Sequence, residues 1–254
     1  MKKKIILVIL LIILALVCIQ FYPALSLKST GMITEETDHF ILYYEPDDKE
    51  AAQEIGEILE QKRAEINAKL NYHQEEKTEV YIYPDQNTFH GKKYGMAGRI
   101  FGPDWYIGDN VGEKVLLVSP NNPGSHHSYD SVVVTAVHEY VHTVVYAVNP
   151  QVSKWLNEGL AVYLAEQAPD LETISVVGAP SYQDTQTSNP VKFGKMSGYA
   201  YSYTYLQFLD RTFGMDAVST LLKENPADYE NVFSYTEEEI YEMWLDYLEG
   251  YRMY

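Results

Sequence analysis

The chain has 254 residues and a single cysteine, Cys18. That cysteine lies inside an apolar run, so a disulfide framework is excluded, and so is any zinc site built on thiolates. Positive charge is scarce as well: 19 Lys and Arg stand against 36 Asp and Glu, a net charge of −17. Nucleic acid is therefore a poor partner, because phosphate binding needs clustered cations. There is no internal repeat and no second hydrophobic core. With 46% hydrophobic and 22% charged residues, the composition is that of a globular protein.

Long apolar runs are also missing, except at the start. MKKKIILVILLIILALVCIQFYPALS has three lysines, then an apolar stretch from Ile5 to Phe21 broken only by Cys18 and Gln20. This reads as an export signal or a membrane anchor. The run is longer than most cleaved signals and slightly short for a full span. Ala24-Leu25-Ser26 has the small-x-small form of a cleavage site. Val17 before Cys18 argues against lipidation. The lysines should stay cytoplasmic, which puts the rest of the chain outside the membrane. Residues 1–26 hold three lysines and no acid, so the remainder carries −20.

Periodicity divides the remainder of the chain. Residues 27–38 read as a polar linker and 39–254 as one domain, with a sheet-bearing first half and a helical second half. HFILYYEP, His39 to Pro46, is a predicted strand. Ala51, Ile55, Ile58, Leu59, Ile66 and Leu70 have helical spacing, behind an Asp47–Glu50 capping box. Thr78 to Asp85 and Lys114 to Pro120 are further strands, with a glycine-rich patch between them. Strand–helix–strand–strand predicts a small mixed sheet with a helix on one face, an α+β fold. The strand from Lys114 to Ser119 is a candidate sheet edge for an extended peptide. Helices are expected over Ser128–Val148, Ser153–Gln167, Tyr199–Phe213 and Asp216–Lys223. A last helix starts at a Thr236–Glu239 box, with Ile240, Trp244, Tyr247, Leu248 and Tyr251 on one face. The long polar connection from Asp170 to Ser197 shows no pattern, and connections of that length are usually functional or mobile.

The chemistry concentrates in VHEYVHTVVY, Val137 to Tyr146. Residues four apart on a helix share a face, so His138 and His142 can reach one ion. Glu139 points beside that ion and can take a proton from a water bound to it. An HExxH match arises by chance on the order of once per hundred chains of this length. The alternative is a core helix with two satisfied histidines, but two buried histidines and a buried glutamate without a partner are costly. A hairpin at Asn149-Pro150 returns KWLNEGLAVYLAEQ across this helix, and Glu158 can complete a His-His-Glu site. Gly159 lets neighbouring backbone approach. Glu166 is the alternative third ligand. His90, His126 and His127 are expected to be surface residues rather than ligands.

HExxH followed by Trp155-Leu156-Asn157-Glu158-Gly159-x-Ala161 resembles the gluzincin metallopeptidases, in particular the peptidase MA-like group related to thermolysin and aminopeptidase N. The resemblance covers about 30 residues. It implies a zincin-like catalytic domain and one Zn²⁺ on His138, His142 and Glu158, with Glu139 as general base. It also implies a tyrosine that stabilises the oxyanion. SGYAYSYTYLQFLDRTFG resembles the segment that carries it, which places Tyr199 in the role, with Tyr201 and Tyr203 as competitors. The Gly-x-Met-Glu-Asn stretch of the aminopeptidases is absent. Gly95-Met96-Ala97-Gly98 is the nearest text and lacks the acid, so an endopeptidase is favoured. The expected activity is zinc-dependent hydrolysis of a peptide or protein substrate outside the cytoplasmic membrane. The chain would be anchored by its first helix, or secreted if that helix is removed. Two rivals remain: an inactive zincin-fold binding protein, against which the intact Glu139 counts, and a metal-free envelope protein, which leaves the His-Glu clustering unexplained.

Overall fold

The computed structural model describes residues 2–170, 174 and 178–251. α1 (Lys2–Phe21) is an apolar helix exposed along its length. It is long and apolar enough to cross a membrane. The remainder is mixed α/β, with a small sheet early and helices later. Two compact units emerge: Met1–Ile58 with Lys77–Ala136, and Leu59–Glu76 with Val137–Tyr254.

The first unit is built on a five-stranded sheet in the order β1-β2-β3-β5-β4. Its strands are β1 (Ile33–Glu36), β2 (Phe40–Tyr44), β3 (Thr78–Tyr83), β4 (Gly108–Val111) and β5 (Lys114–Val118). The three central strands are parallel, and both edges pair antiparallel. β2 and β3 are joined by α2 (Lys49–Lys69), the right element for a parallel crossover. The register puts Val80 beside Leu42 and Val115, on one face. α2 lies close over this face: a Cβ on Gly56 would stand 2.9 Å from Leu42. Tyr81, Tyr83, Leu116 and Val118 form the other face, packed with Met32, Phe89, Ile107 and Val132.

Four expectations need correction. The linker contains β1, whose polar ITEE carries no strand signal because it is an exposed edge. The glycine-rich patch, Tyr94 to Asn110, contains the second half of α3 (Gln86–Phe101), a helix capped by Asp85, which accepts from Thr88 N at 2.7 Å. It also contains most of β4, whose hairpin to β5 turns at Gly112 with φ +59°. The peptide-edge role expected of Lys114–Ser119 therefore fails, since β3 and β4 flank β5 on both sides. Finally, α2 begins behind a 3₁₀ turn at Pro46–Asp48, so Asp47 sits inside that turn rather than at a cap.

α4 (Tyr129–Val148) contributes residues to both units. Although it passes the same length and hydropathy test as α1, it is 67% buried there, as a core helix is. In the second unit it is followed by α5 (Lys154–Leu164), α6 (Tyr182–Thr185) and α7 (Pro190–Lys195). α6 and α7 are short helices inside the expected patternless connection, part of which lies outside the described residues. α8 (Gly198–Phe213), α9 (Met215–Lys223), α10 (Tyr229–Phe233) and α11 (Glu237–Tyr251) complete the chain. Thr236 and Glu239 make the expected cap. Trp244 is fully buried at the centre of an aromatic cluster, edge-on to Trp155, Tyr201 and Tyr205 at 5.7–6.1 Å. Its Nε1 donates to Thr204 at 3.1 Å. The Tyr251 side chain, expected on the same helix face, is outside the described residues.

Trp244→Ala should cost about 3–5 kcal/mol, the range for emptying an aromatic site. Chemical denaturation of the detergent-solubilised chain measures this, and a loss below about 1 kcal/mol would mean that the cluster closes over the gap.

Candidate metal centre

His138, Glu139 and His142 sit on α4, and Glu158 sits on α5. All four are buried. α4 ends at Val148, and Asn149 closes the turn by donating to Leu222 O at 2.9 Å. Ser153 then caps α5, accepting from Leu156 N at 3.3 Å. Glu158 therefore lies one turn into α5. The expected third ligand is brought to the two histidines: His138 Nε2 is 3.6 Å and His142 Nε2 3.5 Å from Glu158 Oε2. The two Nε2 atoms are 3.0 Å apart.

The far ring nitrogens decide what those contacts mean. His138 Nδ1 is 2.8 Å from Gln167 Oε1, and His142 Nδ1 is 2.8 Å from Asn157 Oδ1. With amide oxygens as acceptors, both Nδ1 atoms carry protons and both Nε2 atoms present lone pairs. Two lone pairs and a carboxylate oxygen then face one buried point, an arrangement that calls for a cation. A tetrahedral zinc with ligands at about 2.0–2.1 Å separates its donors by roughly 3.3 Å. The triangle of 3.0, 3.5 and 3.6 Å is close to that size. Among the described residues, these ligand atoms lie within 4.8 Å of one another, a group that could hold a metal ion.

Burial opposes ionisation of Glu158, and only positive charge on the imidazole side outweighs it: protons on His138 and His142 would hold its carboxyl well below the usual range, and a bound cation takes their place when both Nε2 atoms are bare. The second oxygen, Oε1, accepts from Lys154 Nζ at 2.6 Å, one helical turn earlier. Only Oε2 is then turned to the imidazoles. Gly159 next door is required by packing, because a Cβ there would lie 2.3 Å from Leu206 and 2.9 Å from Ser202 O of α8.

Lys154, Asn157 and Gln167 were not singled out in the sequence. Lys154 had a signal, four residues before Glu158 on one helix. Gln167 had none, because a turn places it. α5 stops three residues earlier than expected, in a Schellman motif: Gln167 N donates to Val162 O and Glu166 N to Tyr163 O. Glu166 takes the left-handed position at φ +58°. It pairs with Lys62 at 2.7 Å and is no part of the cluster, so it is not the third ligand.

The tyrosines separate clearly. Tyr201 is fully buried and donates to Ile174 O at 2.5 Å. Tyr203 is buried edge-on against Tyr163. Tyr199, at the start of α8, is 41% exposed and packs edge-on against Phe193. His126 is exposed, as expected, whereas His127 is half-buried with its Nε2 2.8 Å from Trp105 O. His90 is not: it is buried, and its Nε2 lies 3.0 Å from Pro103 O.

No protein-family model matches the chain, and no curated protein or solved structure matches it significantly.

Asn157→Ala and Gln167→Ala should each weaken metal binding by about 10- to 100-fold while the chain stays folded. Competition with a coloured chelator reads the affinity. Unchanged affinity in both would mean that the amides do not set the tautomers.

Proposed function

We propose that the chain is an extracytoplasmic zinc metallopeptidase with a zincin-like, thermolysin-like catalytic domain. α1 holds it at the membrane, or its removal releases the protein. The observation that carries this reading is the buried convergence of two imidazole Nε2 atoms and one carboxylate oxygen, beside a second buried carboxylate. Two neutral histidines and one glutamate are a donor set for catalytic zinc, leaving a fourth position for water. Zinc bound there would supply Lewis acidity and lower the pKa of water to about 7.

The chain's own groups supply the rest. His138, His142 and Glu158 hold the ion. Lys154 keeps Glu158 Oε1 engaged, so one oxygen is left for coordination. Glu139 follows His138 by about 100° around α4, which aims its carboxylate beside the ion rather than at it. There it accepts the proton of the attacking water and returns it to the leaving amine. Tyr199, the most exposed of the three tyrosines considered, donates its phenol to the carbonyl oxygen as negative charge develops. The substrate class is peptide or protein, and internal cleavage is favoured because no acidic residue stands where the aminopeptidases bind a free amino end.

Purified protein should contain about one zinc per chain, and Glu158→Ala should lose most of it. Glu139→Gln should keep the zinc and lose cleavage of a peptide library by a factor of about 10² or more. A folded wild type that takes up no zinc defeats the proposal. Full zinc with no cleavage in either protein favours a binding module on the same scaffold.

A further inference from the structure

We propose that the first unit makes a second contact with the membrane, through Ile100, Phe101 and Trp105, beside the point where α1 leaves the bilayer. This rests on α1 being a membrane span, as in the function proposed above. α1 ends against α3: Gln20 Nε2 donates to Tyr94 O at 2.9 Å, and Ala97 N donates to Gln20 Oε1 at 3.0 Å. Gly95 makes this approach possible. Its φ is +75°, and a Cβ there would stand 2.2 Å from Gln20 O. Ile13, Leu16, Val17, Ile19 and Gln20 line one surface hollow together with Met96 of α3. Ile13 to Gln20 is about 10 Å of helix, so α3 lies beside the last two turns of the span.

At 1.5 Å per residue, Ile5 to Phe21 cover about 25 Å, most of the hydrocarbon layer of about 30 Å, with Lys3 and Lys4 at the inner headgroups. Gln20 therefore falls at the outer boundary, and α3 with it. Ile100 is 65%, Phe101 81% and Trp105 64% exposed. Isolated exposed apolar residues are ordinary, but Ile100 stands one helical turn after Met96, the residue that meets the span, and Phe101 and Trp105 follow it closely in the chain. Tryptophan and phenylalanine suit the headgroup–acyl boundary. Local charge does not oppose the contact. In a chain of net −17, α3 carries Lys92, Lys93 and Arg99 and no acid. Lys93 is neutralised by Asp109 at 3.0 Å, and Lys92 is held on Ser26 O at 2.6 Å. Arg99 is exposed to anionic headgroups, while Asp104 is the acid nearest the patch in sequence and faces His126 at 3.4 Å. The occupant is thus the outer leaflet, and two contacts fix the tilt of this unit on the membrane where a single helix would let it swivel.

Tryptophan fluorescence tests this, because Trp155 and Trp244 are buried and Trp105 is not. The full chain is reconstituted in phosphatidylglycerol–phosphatidylcholine vesicles whose acyl chains are brominated near the headgroup. Flotation first establishes that the chain is in the bilayer. Bromolipid should then quench about one third of the emission, the share of one tryptophan in three, and Trp105→Phe should abolish that part. Ile100→Ser with Phe101→Ser should reduce the quenching while flotation is kept. A chain that floats but is not quenched, with Trp105 open to acrylamide, overturns the second contact and leaves the span intact. Trp105 shielded from both quenchers means that protein covers the patch, which also overturns it. A chain that does not float overturns the span and the contact together.

Discussion

Two imidazole lone pairs meeting at 3.0 Å inside the protein are a repulsive contact unless a positive charge stands between them. The surroundings make this contact unavoidable. Each neutral ring is held by an amide oxygen on its far nitrogen, so neither can present a proton inward without giving up a buried hydrogen bond or becoming a cation itself. Glu158 adds a negative charge where water is largely excluded. Placing ions in such a site costs several kcal/mol each before any attraction is counted. A cation bound there would convert all of these costs into coordination and tie the stability of the second unit to the metal.

The frame around that point is apolar and rigid. α4 buries Val137, Val141, Val144 and Val145 on the segment that carries the histidines. Each such side chain contributes about 1.5–3 kcal/mol on leaving water, enough in sum to hold a costly polar cluster. The tyrosines join this frame to polar backbone. Tyr201 and Tyr241 bury their rings while their hydroxyls reach Ile174 O and Pro180 O. Tyr140, between the two histidines in sequence, donates instead to a side chain, Asn67 Oδ1, at 2.8 Å. The excess of tyrosine thus has a structural use, an apolar body with a donor at its tip.

Local patterns were legible where periodicity and chemistry coincide. The HExxH helix and the Thr236 cap follow from spacing within one element, and the return of Glu158 with glycine at 159 follows from a tight helix hairpin at Asn149-Pro150. Elements held by their neighbours were not legible. β4 reads Gly-Asp-Asn-Val, poor strand formers that pair because β5 offers an edge. α3 contains Gly91, Gly95 and Gly98, which read as loop. Its kink at Gly95 serves a contact 75 residues back along the chain, outside any sequence window. The residues supporting the metal ligands were hidden for the same reason. Gln167 reaches His138 only because Glu166 reverses the chain in a left-handed turn, a conformation that glycine adopts most easily and that glutamate did not advertise.

Lys154 shows how such a support shapes chemistry rather than affinity alone. A carboxylate free at both oxygens can bind an ion through both, which fills the position that a catalytic site keeps for water. With Oε1 on the ammonium at 2.6 Å, Glu158 has one oxygen left to give. The lysine also offsets negative charge that would otherwise accumulate where Glu139 and Glu158 are both buried. Glu139 stands on α4, next to His138, whereas the ammonium belongs to α5, one turn before Glu158. In the proposed mechanism, the division of labour between two glutamates, one binding and one accepting a proton, thus depends on a cation carried by the helix of the binding one.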